Sequence, residues 1–358
     1  MIGPAKFPRY LEQQQLAQGR RLDTLASTAM NGLAVRATEY SAGGYGAESI
    51  VAVGNSQAAR QFDCRTQVAT SSTIGAAGYN AAAVTYSSAW AGRYMAVGST
   101  EAVYESSLGT SWTLVSGSAS GSRPLFDIDA APSALQYALA VGGNSAADAI
   151  YQLRTASAIT LSTAPDLFTR VKWHNSASRF IVAGATTIRA FNPSGSTTTL
   201  LDTHPEGTCT VLDMFFDPMT DSMHVLLRLP SGAIRCTLVR GSSMTITRSA
   251  ATTTTFTSAT VMRGIWTRYN GPYYLFSGDG ASPRATAGLL SSAAAPSTPE
   301  LNLAYDPLVA PIAYPGIVAD SLLRACVRVN NIIFAIAQGG STEHRLYQLS
   351  DLLAPAIP

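Results

Sequence analysis

Only 13% of the 358 residues carry a charge, and lysine is almost missing: Lys6 and Lys172 are the only two, so the positive charge is nearly all arginine. Such a chain must cover its surface with Ser, Thr, Gly, Asn and Gln. The formal net charge of +2 leaves no electrostatic footprint for nucleic acid or an anionic membrane. Four cysteines, Cys64, Cys209, Cys236 and Cys326, stand far apart, with no C-x-x-C and no histidine at ligand spacing. They read as small buried hydrophobes rather than a metal site or a disulfide framework. No apolar run approaches the ~20 residues of a membrane-spanning helix, and MIGPAKFPRYLEQQQ lacks a core of signal-peptide length, so the expectation is synthesis in a cytosol. A Gly-rich phosphate loop, a G-x-S-x-G elbow, an H-E-x-x-H pair and a Cys/His nucleophile arrangement are also missing. No catalytic residue, cofactor or metal is expected.

What the chain does have is a repeat. Apolar runs ending in glycine recur as Ile50-Val51-Ala52-Val53-Gly54, Met95-Ala96-Val97-Gly98, Leu139-Ala140-Val141-Gly142 and Ile181-Val182-Ala183-Gly184, the glycines 44, 44 and 42 residues apart. Runs at 224–227, 274–278 and 333–337 continue the series. Each is continuously apolar, as a strand buried on both faces should be. An apolar strand precedes each of them, at 33–37, 82–86, 125–128, 168–173, 211–216, 261–266 and 322–329, and a more polar, alternating strand follows. Four strands every 40 to 50 residues is the pattern of an all-β fold, a β-propeller. It predicts about seven four-stranded blades over residues 30–358, or six, since the outer strands of the first unit near 61–68 are weakly written. Closure of the ring is expected between the chain ends, with 345–349 and 33–37 as candidates.

Residues 1–29 differ from the rest. Two early prolines predict an extended start, and 10–26 is rich in helix formers with a thin apolar stripe of Leu11, Leu22 and Leu25. The expectation is an N-terminal arm with a short helix, too polar to bury itself, that docks on neighbouring subunits through Arg9, Tyr10, Gln14, Arg20 and Arg21.

Candidate chemistry is sparse. Asp127 and Asp129, on a first strand, are the best-placed carboxylate pair for glycoside cleavage, against the plainer reading of a strand edge or turn anchor. Asp213, Asp217 and Asp221 could suggest calcium, but Phe216-Asp217-Pro218 reads as a hairpin turn. Histidines 174, 204, 224 and 344 fall in different units. Trp266, Tyr269 and Tyr273 form an aromatic cluster that could make a sugar- or protein-binding rim.

The segment Glu105-Ser106-Ser107-Leu108-Gly109-Thr110-Ser111-Trp112 resembles the Asp box of sialidase-type (BNR) propellers, S-x-D-x-G-x-x-W. Gly109 and Trp112 fall on the motif's glycine and tryptophan, while Ser107 stands in place of the aspartate and Glu105 in place of the serine. In that family the box is a structural turn remote from the active site, so the resemblance implies a fold and not hydrolysis. The family's Phe-Arg-Ile-Pro segment is absent. In architecture and composition the chain is also similar to propeller proteins of tailed-bacteriophage tails. That resemblance implies a virion structural protein made in the host cytoplasm, contacting other virion proteins, copies of itself and host surface glycan, with no nucleic acid and no membrane insertion. The rival expectation is a carbohydrate-binding or glycoside-cleaving propeller.

Overall fold

The computed structural model describes residues 20–248, except for 27–28, 40–44, 89–91, 117–120, 133–134, 156–157 and 219, and then the strands 259–267, 271–278, 287–289, 322–329, 332–339 and 343–350. Strand β1 (Arg20–Ala26) comes first. The first sheet holds β2 (Met30–Glu39), β3 (Tyr45–Gly54), β4 (Ala58–Asp63) and β5 (Ala69–Thr73). A second holds β6 (Ala81–Ser87), β7 (Arg93–Gly98), β8 (Val103–Ser106) and β9 (Thr113–Ser116). In the third are β10 (Leu125–Ala130), β11 (Ala138–Gly142), β12 (Ile150–Arg154) and β13 (Ile159–Thr163). The fourth contains β14 (Phe168–His174), β15 (Arg179–Gly184), β16 (Thr187–Asn192) and β17 (Thr197–Thr203), and the fifth β18 (Thr210–Asp217), β19 (Ser222–Arg228), β20 (Ile234–Arg240) and β21 (Thr245–Arg248). After them come β22 (Ala259–Thr267), β23 (Gly271–Gly278) and β24 (Ala287–Leu289), then β25 (Leu322–Val329), β26 (Ile332–Gly339) and β27 (Glu343–Ser350).

Every sheet is antiparallel, and all but one are meanders in chain order; six have four strands, and β22-β23-β24 forms a sheet of three. Helix in the described residues is confined to short 3-10 turns such as Ala146–Asp148. First strands touch in cyclic order, β2, β6, β10, β14, β18, β22, β25 and β2 again, so the sheets stand radially around an axis. This is a β-propeller.

The last sheet runs β1-β27-β26-β25, and this corrects two expectations. Where a helix was expected over 10–26, residues Arg20–Ala26 form a strand, paired from Arg20 with Gln348 to Ala26 with His344. Closure uses this strand on β27, whereas 33–37 lies in β2, the first strand of its own sheet. The physical reason is an override of local propensity: β27 would otherwise end the sheet with a row of unpaired backbone groups, and Leu25, 6% exposed, joins a core with Leu346, Phe334 and Ile50. Residues 1–19 lie outside the described residues.

Core packing follows from the radial arrangement. One sheet cannot bury both of its faces, so apolar clusters form between neighbours. Tyr151, Phe168, Phe180 and Phe191 fill the space between third and fourth sheets; Met214, Val225, Ile181 and Ile188 that between fourth and fifth. Each fully buried side chain of this size contributes about 1.5–3 kcal/mol.

The recurring glycines have a common cause. Gly54, Gly98, Gly142 and Gly184 pair with Met30, Ala81, Leu125 and Phe168, the first residues of the first strands. A Cβ on Gly98 would lie 2.0 Å from the carbonyl oxygen of Asn80, and Gly54 and Gly142 meet the same obstacle at Ala29 and Pro124, also at 2.0 Å. The first strand crosses the second too closely for any side chain.

Candidate functional site

Just past that crossing, every sheet carries a β-bulge, with the register of the first strand slipping by one residue between Leu125 and Asp127, Phe168 and Arg170, Val211 and Asp213, and correspondingly in the other four. A bulge re-aims the side chains that follow it. Here it brings Asp127, Arg170 and Asp213 to one level of three consecutive sheets, with alternating charge, and Asp129 and Lys172 two residues further along. These side chains, with Arg324 of the last sheet, line a central cavity of about 480 Å³.

A first strand is also a sheet edge, with backbone groups that no strand pairs. Asp127 and Asp129 supply what is missing. Val171 N–H donates to Asp127 Oδ2 at 3.0 Å, and Trp173 N–H to Asp129 Oδ2 at 2.7 Å. Lys172 Nζ stands between the two carboxylates, 4.0 and 3.9 Å from them, and Thr85 Oγ1 donates to Asp129 Oδ1 at 3.4 Å. On the next wall, Arg170 Nη2 donates to the carbonyl of Leu212, the bulge residue of β18, at 3.3 Å. Burial raises the Asp129 carboxyl above its usual range; Lys172 and the Trp173 N–H recover only part of the shift. For Lys172, burial pulls downward, but Asp127, Asp129 and Asp213 outweigh it and the ammonium holds its proton more tightly than usual. The pair singled out from the sequence therefore serves as an anchor between sheets, each carboxylate committed to a backbone donor.

The Asp-box-like hairpin does comparable work at the periphery. Ser106 Oγ, one position before the residue aligned with the motif's aspartate, accepts the Gly109 N–H at 2.8 Å and closes the turn. Gly109 has φ +80°, and a Cβ there would lie 2.3 Å from Val51 Cγ2 of the first sheet. Trp112 Nε1 donates to Ser72 Oγ of the first sheet at 3.3 Å. Glu105, its side chain fully buried, is held by Arg154 of the third sheet at 2.6 Å and by Arg93 at 3.4 Å. Burial raises its carboxyl, against the pull of both arginines.

The remaining candidates disperse. Asp213 faces the cavity, Asp217 accepts from Thr220 Oγ1 at 2.6 Å, and Asp221 accepts from Ser176 Oγ of the fourth sheet at 2.6 Å, so the three do not converge. No group of three or more His, Cys, Asp or Glu side chains placed to hold a metal ion occurs among the described residues. All four cysteines are free thiols; Cys209 and Cys236 are buried, Cys64 and Cys326 half-buried. Arg20 and Arg21 belong to β1, while Arg9, Tyr10, Gln14 and Tyr269 lie outside the described residues. Trp266 and Tyr273 sit in the β22–β23 hairpin, opposite Pro272 and Ile265.

One grouping escaped sequence reasoning. His224 Nδ1 is 3.7 Å from Cys236 Sγ, and His224 Nε2 is 3.9 Å from Asp217 Oδ2, all three residues within 2% of full burial. Register creates it: His224 faces Leu238, and Cys236 is two residues away on the same strand. Sealed inside the fifth sheet, the trio has the composition of a nucleophile site without access to solvent.

No family model matches the chain, and no curated protein matches it. Among solved structures it is similar to the crystal structure of the WD40 β-propeller domain of Doa1, with a TM-score of 0.57 and 11% identity, over 92% of this chain and 96% of that one. At that identity the likeness shows the propeller fold alone. The Asp-box type is not what this likeness shows.

Proposed function

We propose that the chain is a seven-bladed propeller acting as a rigid spacer and contact module, a structural component of a bacteriophage tail. The observation that carries this reading is on the outer rim. Leu114, Leu161 and Leu200 occupy one register position of β9, β13 and β17 in consecutive sheets, each opposite the third-strand residue that pairs two places before the conserved-register glycines 98, 142 and 184. They are 42%, 43% and 48% exposed. Strands β5, β9 and β13 contain no charged residue to blunt their edges, and such edges are suited to permanent contact with another protein. The charged groups of the cavity, by contrast, are engaged between sheets, which supports a scaffold over a hydrolase.

Mass spectrometry and electron microscopy of particles from a lysate that expresses the chain test this. The protein should co-purify with tailed particles in fixed stoichiometry, and Leu114→Asp with Leu161→Asp should yield folded protein that no longer enters them. Turnover of a fluorogenic glycoside, or saturable glycan binding with no particle association, would replace the reading with a carbohydrate-active propeller.

A further inference from the structure

Two of the chain's four histidines hold the fifth sheet, one on each of its faces. His174, at the end of β14, is fully buried against the fifth sheet: its Nε2–H donates to the Val239 carbonyl at 3.2 Å, and its ring meets Phe216 edge-on at 5.0 Å. His224, 2% exposed, stacks on Phe215 at 4.7 Å. Phe215 and Phe216 point to opposite faces of β18, so His174 of the neighbouring sheet holds the face turned to the fourth sheet and His224 the other. His204, 4% exposed, follows β17 and bonds the Gly184 carbonyl at 3.1 Å through Nε2.

We propose that the fifth sheet is acid-sensitive, seated in the ring while His174 on its fourth-sheet face and His224 on its opposite face are neutral, and loosened when they take up protons. The groups facing each ring set the balance. Around His224 are Asp217 from β18 and, from β20, Cys236 and Arg240. Burial, reinforced by Arg240, drives the imidazole down to about 3. Around His174 are Val239 and, beyond Ser176, Asp221; burial lowers this imidazole too, while the carbonyl bond and Asp221 resist. A histidine depressed in the fold binds its proton more readily once unfolded. Stability is therefore complete above about pH 6.5 and is lost as pH falls below it.

Each suppressed protonation raises the opening constant by up to about tenfold per pH unit, so His224 alone accounts for about 16-fold between pH 6.5 and 5.0. Hydrogen exchange read by mass spectrometry, corrected for intrinsic rates, should show β18–β20 and the end of β14 losing protection over that range while β2–β8 keep theirs. The double variant His174→Gln/His224→Gln should be flat. Equal loss in all sheets, or a double variant as pH-dependent as the wild type, overturns the proposal. Should that variant fail to fold, imidazole NMR of the wild type decides: His224 must remain neutral at pH 5, and titration near 6.5 refutes the proposal.

Discussion

Val171 donates its backbone N–H to Asp127 Oδ2 across 3.0 Å, and the two residues are 44 positions apart, one repeat of the chain. The same interval recurs where Tyr94 meets Ser49, Ser176 meets Asp221 and Arg248 meets Asp202, 45, 45 and 46 residues apart. Neighbouring sheets are joined by side chains that reach over one unit, in addition to the apolar clusters between them. Asp127 is the most exacting case, because it replaces a missing strand.

Asp127→Ala should cost about 1.5–3 kcal/mol, the worth of a hydrogen bond to a charged group, measured by urea denaturation. Asp127→Asn, which keeps an acceptor, should cost less. In a Lys172→Met background the penalty of Asp127→Ala should change by about 0.5 kcal/mol or more, because the groups share one network.

Gly98→Ala should destabilise by about 3 kcal/mol, since its Cβ would press on the Asn80 carbonyl and neither backbone can retreat without moving the sheet. Gly78→Ala is the control. Gly78 has φ +86° and open space around it, so only the conformational cost of about 1–2 kcal/mol remains.

Glu105→Ala should cost about 1.5–3 kcal/mol, because it takes a charged acceptor from Arg154 and Arg93, whose own side chains keep 22% and 46% exposure. Thermal unfolding of Glu105→Ala and of the pair Glu105→Ala/Arg154→Ala separates the lost ion pair from the stranded charge. The double variant should lose less than the sum of the singles.

Removing residues 1–19 should leave the ring intact, whereas removing 1–26 takes β1 from β27 and should lower thermal stability sharply or bring aggregation through the bared edge. Leu25→Ala, which keeps the backbone pairing, should cost about 2–5 kcal/mol. Equal melting temperatures for both truncations would mean that β1 contributes nothing to closure.

The repeat was legible because glycine is the only residue that fits the strand crossing, so the constraint left its mark at 54, 98, 142 and 184. First-strand positions were legible too: 322–329 agrees with β25 to the residue, and the others within a few. Strand β1 was not, since Arg-Arg-Leu-Asp-Thr-Leu-Ala is composed largely of helix formers and becomes a strand only because β27 needs a partner. Asp127 and Asp129 could be paired by alternation, but their true partners are backbone amides of another repeat, and a backbone amide has no sequence signature. His174 and His224 stand 50 residues apart, with nothing in their local contexts to mark a shared pair of phenylalanines.

Because β1 precedes β27 by about 300 residues, the strand that completes the ring is made well before its partner. At about 5–20 residues per second this is a wait on the order of 15–60 s. Throughout it, Leu22 and Leu25 lack the part of their core that Phe334, Ile336 and Leu346 supply, and sheets already formed stand in an open arc. Final closure therefore waits for β27, and the interval before it is when a chaperone, or another nascent copy, has its opportunity.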